Sequence, residues 1–237
     1  MDLTILEKID STNKYLKEKK YKKNWEIVMA KEQTAGKGRR GKVWNSNKGG
    51  AWFSFCFAED KYLSKTEYGK IPLIAGLAVI KGLEEIEKLN YKIKWPNDVY
   101  VGKRKISGIL LEKSGDFFIV GIGINVNNVD FGEFKDIGIS LNKITDKIYN
   151  IEKLVMLVAS KFKKEYYRFL RGEWEEILLE IKEKNYLKNR VVEVMVNSEV
   201  IKGEVIGINN SAELCIKKNN EIYEIKSGEI RIVYTNN

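Results

Sequence analysis

The sequence predicts an α+β protein, with helices packed on a mixed sheet over residues 1–187 and a small antiparallel barrel over 188–237. Three observations predict this. Strand-like and helix-like segments alternate as far as about residue 182. Beyond Asn189 only short period-2 segments remain (VVEVMVN, EVIKGEVIGIN, AELCIKK, EIYEIKS and IRIVY), parted by Asn, Ser and Gly. A hydrophobic fraction of 43% over 237 residues is enough for a real core and argues against disorder. No Pro-rich or Gly-rich linker marks the boundary near 185–190, so the two units are expected to dock.

The elements follow in order. A strand at Leu3–Lys8 leads into IDSTN, where Asp10 or Ser11 can cap a helix running toward Lys20. WEIVMAKE (25–32) reads as a strand, AGKGRRGKVWNSNKGG (35–50) as a long polar loop, and AWFSFCFA (51–58) as a buried strand. Apolar spacing at 73, 74, 77, 80, 83 and 86 fits an amphipathic helix over 71–89. Strands are expected near 91–95, 98–101, 105–112 and 117–124, with a hairpin turn at Gly115-Asp116. The stretch 151–182 reads as helical, with Leu154, Val155, Val158, Phe162, Tyr166 and Phe169 on one face and a break at Gly172.

Composition excludes several chemistries. There is no histidine, which removes Ser-His-Asp catalysis, His-ligated zinc and histidine general bases. Cys56 and Cys215 lie in apolar strand-like stretches without CxxC spacing, against a metal site or a disulfide framework. Whatever is catalysed must rest on Lys, Arg, carboxylates, amides and backbone donors. The longest apolar run, Ile71 to Ile80, contains Pro72 and Gly76 and falls short of the ~20 residues that cross a bilayer. The N-terminus lacks the basic-then-apolar order of a secretory signal, so a soluble cytoplasmic protein with no membrane partner is expected. A net charge of +9 suggests a nucleic-acid partner, yet the lysines are spread along the chain, as a solvated surface would have them. Arginine occurs at only seven positions, and two of them, Arg39 and Arg40, are adjacent in one glycine-rich loop, a pattern that suits forked recognition of an anion.

That loop, Gly36-Lys37-Gly38-Arg39-Arg40-Gly41, formally satisfies GxGxxG after a strand. A dinucleotide site would need a helix to open at the third glycine, and KVWNSNKGG is rich in turn formers. A loop closing over an anionic ligand with Lys37, Arg39 and Arg40 fits better; the plain alternative is a solvated basic turn. Lys94-Trp95-Pro96-Asn97-Asp98 sits at a strand-to-turn junction. Lys105-Ile106-Ser107-Gly108-Ile109-Leu110 reads as a strand whose lysine points away from Ile106 and Leu110. Gly121 to Asn127, GIGINVN, reads as a strand edge open to close backbone approach and ending in amides. Each has a purely structural reading when taken singly.

Together and in this order, STN (11–13), QTAGKGRRG (33–41), KWPND (94–98), KISGIL (105–110) and GIGINVN (121–127) resemble the biotin protein ligases, over about residues 5 to 235. The resemblance implies a class II synthetase-like biotin/lipoate ligase catalytic domain and an SH3-like C-terminal barrel. One departure is Lys37, where the family usually carries arginine. The chain starts almost at the ligase strand and resembles the short form without an N-terminal DNA-binding domain, so no specific DNA binding is expected.

The implied reaction joins biotin and ATP as biotinyl-AMP and passes the biotinyl group to a lysine of a biotin carboxyl carrier protein. The resemblance assigns Lys105, Arg39 and Arg40 to catalysis. Biotin would be held by Ser11, Thr12, Asn13, Gln33, Gly36, Lys37, Gly38, Arg39, Trp44, Lys105 and Gly108, the neutral polar groups meeting its ureido ring. ATP and the adenylate would meet Lys37, Arg39, Arg40, Lys94, Trp95, Asn97, Asp98 and Asn125, with Asp98 a candidate Mg²⁺ contact and no tightly bound prosthetic group. A homodimer formed through a sheet edge near 105–124 and 136–141 is expected. The runners-up are a lipoate or octanoate ligase and a basic nucleic-acid-binding module.

Overall fold

Strands β1 (Leu3–Ile9), β2 (Glu26–Gln33), β3 (Ala51–Ala58), β4 (Tyr91–Lys94), β5 (Asp98–Val101), β6 (Arg104–Ser114) and β7 (Phe117–Ile124) form one sheet in the computed structural model, ordered β1-β2-β3-β7-β6-β5-β4. β1 and β2 are parallel and every other pair is antiparallel, so the sheet is mixed. Helices are α1 (Thr12–Glu18), α2 (Lys70–Glu84), α3 (Leu141–Thr145), α4 (Ile151–Leu170) and α5 (Trp174–Glu183). A second, fully antiparallel sheet follows: β8 (Val191–Val196), β9 (Glu199–Ile208), β10 (Leu214–Lys218), β11 (Glu221–Ile225) and β12 (Glu229–Ile232), ordered β11-β10-β9-β8-β12. It is consistent with the expected small C-terminal domain. The structure describes residues 1–196 and 199–233; the ends of two expected segments, Asn197 and Tyr234, lie outside them.

Alternation along the strands gives the large sheet two different faces. Ile27, Met29, Phe53, Phe55, Phe57, Phe118, Val120 and Ile122 join one core with α2 and α4. Each such side chain contributes about 1.5–3 kcal/mol on full burial. On the opposite face α1 seats Leu16 against Val28, Cys56 and Ile119. α1 covers only part of that face, and the remainder is where the expected site residues gather.

α2 was expected to be amphipathic, but it is buried nearly all round, from Ile71 to Leu83, because the sheet covers one side and α4 the other. Gly82 permits the close helix approach: a methyl there would fall under 3.0 Å from Val158 Cγ2. The helix ends at Glu84, short of the expected 89. Around Gly172, which has φ +88, the chain breaks between α4 and α5 as expected.

Two expectations about edges fail. Residues 136–141 form no strand; Ser140 caps α3 by accepting from Lys143 N at 3.3 Å. β6 and β7, with GIGI on β7, are interior strands, so neither 105–124 nor Gly121–Ile124 offers a free edge. The sheet ends at β1 and β4, and β4 is covered by 184–186, where Ile93 N donates to Lys184 O at 2.7 Å and Tyr186 N to Ile93 O at 2.8 Å. Edge-to-edge pairing of two copies through this sheet would have to use β1. No helix among the described residues is long and apolar enough to cross a membrane.

The two sheets share one continuous core, with Val192, Val194, Val205, Leu214 and Ile216 joined to that of the larger sheet. Two indoles fasten the junction: Trp95 Nε1 donates to Ala212 O at 2.9 Å and Trp174 Nε1 to Asn210 O at 2.7 Å.

Candidate active site

β5 and β6 fall out of step by one residue. Asp98 faces Gly108 and Val99 faces Ser107, but Tyr100 faces Lys105, leaving Ile106 as the extra, fully buried residue of a β-bulge. Residues directly opposite each other share a face. The bulge therefore turns Lys105 onto the face of Asp98, Gly108 and Leu110, where strict alternation would have placed it with Ser107. The expected opposition to Ile106 holds; the opposition to Leu110 does not, and Leu110 lines the same cavity as the lysine. Lys105 Nζ lies 2.7 Å from Asp98 Oδ1, an ion pair by distance without hydrogen-bond alignment, and 4.9 Å from the centre of the Trp44 ring. Both members of the pair are partly buried, 21% exposed in their side chains, so solvent screens them less than a surface pair. Asn125 sits beside the bulge, its N donating to Ile106 O at 2.8 Å and its Oδ1 accepting from Asn128 at 3.1 Å.

The start of α1 supplies the neutral end of the site. Ser11 caps the helix, its Oγ accepting from Lys14 N at 3.4 Å. Gln33 Oε1 accepts from Thr12 N at 2.8 Å and Thr12 Oγ1 at 3.1 Å, and its Nε2 donates to Ser46 Oγ at 2.8 Å. Ser54 Oγ, 2.7 Å from the Thr12 hydroxyl, donates to Asn13 Oδ1 at 2.6 Å, and Asn13 Nδ2 donates to Glu112 Oε2 at 2.9 Å. Ser11, Thr12, Asn13 and Ser54 are all buried, so this network holds its members in fixed orientations. Burial pushes the Glu112 carboxyl up, but the hydrogen bonds from Asn13 and Lys17, with the charges of Lys17 and Lys37, together outweigh it and hold the group below its ordinary value.

Glycines make the floor. A methyl at Gly121 would fall under 3.0 Å from the Asn13 carboxamide, and one at Gly123 under 3.0 Å from the Trp44 indole. Gly108 is as tight, with Trp44 Cζ3 at 2.8 Å and Lys105 Nζ at 3.2 Å from a built Cβ. The Trp44 indole thus lies flat on the sheet, and its Nε1 finds no acceptor among the described residues.

The glycine–arginine loop closes the cationic end. Gly38 N donates to Lys42 O at 2.7 Å and Trp44 N to Gly36 O at 2.9 Å, with a short 3₁₀ turn at Arg39–Gly41 between them. Arg40 takes φ +54, a left-handed conformation uncommon for a side chain other than glycine or asparagine. Arg39 reaches across to the KWPND turn, donating to Asn97 Oδ1 at 3.0 Å, while Asn97 Nδ2 donates to Ile109 O at 2.8 Å. Burial holds both the Arg39 guanidinium and the Lys94 ammonium below their usual values. Lys42 pairs with Glu229 of β12.

These groups line one cavity of about 330 Å³. Every expected site residue borders it except Gly36, whose part is to let the loop approach: a Cβ there would strike Trp44 O and Ser46 Oγ. Six cations (Lys37, Arg39, Arg40, Lys42, Lys94 and Lys105) face three carboxylates (Asp98, Asp130 and Glu229), so the cavity favours an anionic ligand. No helix opens at Gly41, which sets the dinucleotide reading aside. Asp98, expected as a metal contact, lies by its Oδ1 2.7 Å from Lys105 Nζ, and no three Cys, Asp or Glu side chains gather as a metal site among the described residues.

The expected set left out Ser54 and Glu112, which orient Asn13, and Phe131, Phe134 and Ile137, which wall the cavity beyond Asn125. It also left out Gly228, Glu229 and Ile230, which bring the second sheet to the cavity rim. Ser54 is the one hydroxyl in the apolar run of β3, and that interruption was its one available signal; Glu112 lies in the polar end of β6, LEKS, where nothing set it apart.

A model of the biotin/lipoate A/B protein ligase family matches residues 5–127. The bifunctional ligase/repressor BirA of Bacillus subtilis is 32% identical over 222 residues, 87% of this chain and 66% of that protein. That of Escherichia coli is 28% identical over 245 residues, 97% of this chain and 74% of that protein. This chain thus spans about two thirds to three quarters of the length of these relatives. Among solved structures, the biotin protein ligase of Aquifex aeolicus in complex with biotin and ATP superposes with a TM-score of 0.90 at 33% identity, covering 99% of each chain.

Proposed function

Because the chain belongs to the biotin/lipoate A/B protein ligase family, we propose that it activates biotin with ATP and transfers the biotinyl group to a lysine of a biotin carboxyl carrier protein. One observation carries this reading: a single cavity joins a neutral hydrogen-bonding end, around Asn13 and Gln33, to a cationic end, with Lys105 between them. Biotin has the matching polarity, a neutral ureido ring at one end and a carboxylate at the other. Leaving a buried ureido group unpaired would cost about 1–3 kcal/mol per group, so the fixed amides favour biotin over lipoate, which has no such ring.

In the first step a biotin carboxylate oxygen attacks the α-phosphorus of ATP, the bond to the bridging oxygen breaks and pyrophosphate leaves. Lys105, released from Asp98, neutralises the two approaching anions, and Lys37, Arg39 and Arg40 hold the phosphates. Mg²⁺ enters with the nucleotide as part of that substrate. In the second step the carrier lysine's nitrogen attacks the acyl carbon, the acyl–oxygen bond breaks and AMP departs. Asp98, then without its lysine partner, is placed to take the proton that the amine loses.

Calorimetric titration with biotin, with lipoate and with biotin plus ATP tests the substrate. Biotin heat that grows when ATP is added supports the reading, whereas lipoate binding as tightly as biotin counts against it. Lys105→Ala should keep weakened biotin binding and lose pyrophosphate release by at least a hundredfold. Release at the wild-type rate would remove Lys105 from the mechanism.

A further inference from the structure

Among the described residues only three aromatic side chains stand in solvent, and they lie at one end of the molecule. Tyr21 is 77% exposed, Tyr62 82% and Tyr167 41%. Glu26 at the start of β2 pairs with Cys56 near the end of β3, so the connections carrying Tyr21 and Tyr62 leave the sheet together. Asn24 Oδ1 accepts from Ala58 N at 3.1 Å, Trp25 stacks on Phe57 at 5.1 Å, and Trp25 Nε1 donates to Tyr167 Oη at 3.3 Å. Steps of about 3.3 Å along β2 put this end roughly 23 Å from Gln33 and the cavity.

Each of the three rings carries a lysine ammonium: Lys20 at 5.4 Å from the Tyr21 ring centre, Lys61 at 4.8 Å from that of Tyr62, and Lys163 at 5.9 Å from that of Tyr167. Lys22 and Lys23 add two charges in the same connection. The acidic groups there are largely engaged: Glu18 with Lys14 at 3.9 Å, Glu26 with Lys19, Glu59 with Lys113, and Asp60 accepting from Tyr62 N, which leaves Asp116. Tyr167 packs one side on Trp25, but rings as exposed as those of Tyr21 and Tyr62 add little to the core, and their coincidence with the densest run of lysines in the chain calls for a ligand with both planar faces and regular negative charge.

We propose that this end binds single-stranded nucleic acid without sequence preference, bases stacking on the tyrosines while the lysines track phosphates. An acidic protein would use the lysines but leave three rings idle. An anionic membrane would call for apolar wedges, whereas each of these rings ends in a hydroxyl.

The test is fluorescence anisotropy of labelled oligo-dU and oligo-dT on the full chain. Binding should weaken with salt, with a log–log slope of about −2 to −3.5, since single strands lose about 0.7 per phosphate neutralised. Tyr21→Ala with Tyr62→Ala should weaken it about tenfold or more. Lys20→Glu with Lys23→Glu should do the same. Both variants should keep the wild-type biotinylation rate, and Arg39→Ala with Arg40→Ala should bind the oligonucleotide as wild type does. No binding at low salt would overturn the proposal, as would loss in the arginine variant with retention in the tyrosine variant. A tyrosine variant that binds unchanged while the lysine variant fails would mean charge alone, and vesicles of anionic lipid that displace the oligonucleotide would assign the surface to a membrane; each result also overturns it.

Discussion

At the residue scale the site depends on what is missing from side chains as much as on what is present. Gly108 and Gly123 are the positions where the Trp44 indole rests on the sheet, and Gly121 is where Asn13 does. Gly123→Ala should lift the indole and spoil the cavity floor while the strand keeps its pairing. Biotin affinity should fall at least tenfold, with a melting temperature within a few degrees of wild type; a titration of the variant showing unchanged affinity would contradict this floor. Glu112 offers a test by pH. Its folded value lies below the ordinary 4.5, so the stability it contributes is fully present above 4.5 and is lost as pH falls through the lower folded value. Glu112→Gln should therefore melt below wild type at neutral pH, by about 2–4 °C for a difference near 1 kcal/mol. The gap should close on acidification below 4.5. A gap that stays constant with pH would show that the carboxylate charge has no part in holding Asn13.

At the element scale the glycine–arginine loop and the bulged strand β6 do most to assemble the site. If the loop retains the adenylate, Arg39→Gly should separate the two half-reactions. Its bond to Asn97 is lost, a charge-assisted contact worth about 1.5–3 kcal/mol, or one to two decades in retention. Lys105 still brings the carboxylate to the phosphate, so adenylate forms but escapes, and unrelated proteins mixed with the variant should become biotinylated. Bystander labelling no higher than wild type, with adenylate still made, would take Arg39 out of the lid. The elements themselves were largely legible in the sequence. Capping at Ser11 and the run AWFSFCFA are local signals, and β3 spans Ala51–Ala58 as expected. Lys105 could be singled out in the sequence but its direction could not, because a bulge is settled by pairing with a neighbouring strand. The sides of α2 were misread for a related reason: periodicity finds one apolar stripe, whereas this helix packs the sheet and α4 at once. Ser140, read as part of a strand over 136–141, caps a short helix instead, since a five-residue segment gives periodicity little to work on.

At the scale of the whole molecule the second sheet belongs to the site as well as to the fold. Gly228, Glu229 and Ile230 border the cavity, Lys42 of the loop pairs with Glu229, and the two sheets share an apolar core without a break. Docking was legible from the missing linker, but the contact at the cavity was not, since residues 42 and 229 are far apart in the chain and both are ordinary surface types. Such a junction should make the molecule unfold as a unit. Trp95 is the residue to probe, because it follows β4 directly, belongs to the turn that holds Arg39 through Asn97, and gives its indole hydrogen to Ala212 O. Trp95→Phe keeps most of the buried ring but leaves that carbonyl without its donor, a loss of about 1–3 kcal/mol. Calorimetry should show one transition for wild type, with calorimetric and van't Hoff enthalpies equal, and one transition for the variant shifted down by about 2–10 °C. Were the sheets independent, the same substitution would free the second sheet to melt at its own temperature, and the endotherm would split in two. A split endotherm would refute the single cooperative unit, and with it the claim that the cavity rim is held in place by the C-terminal strands.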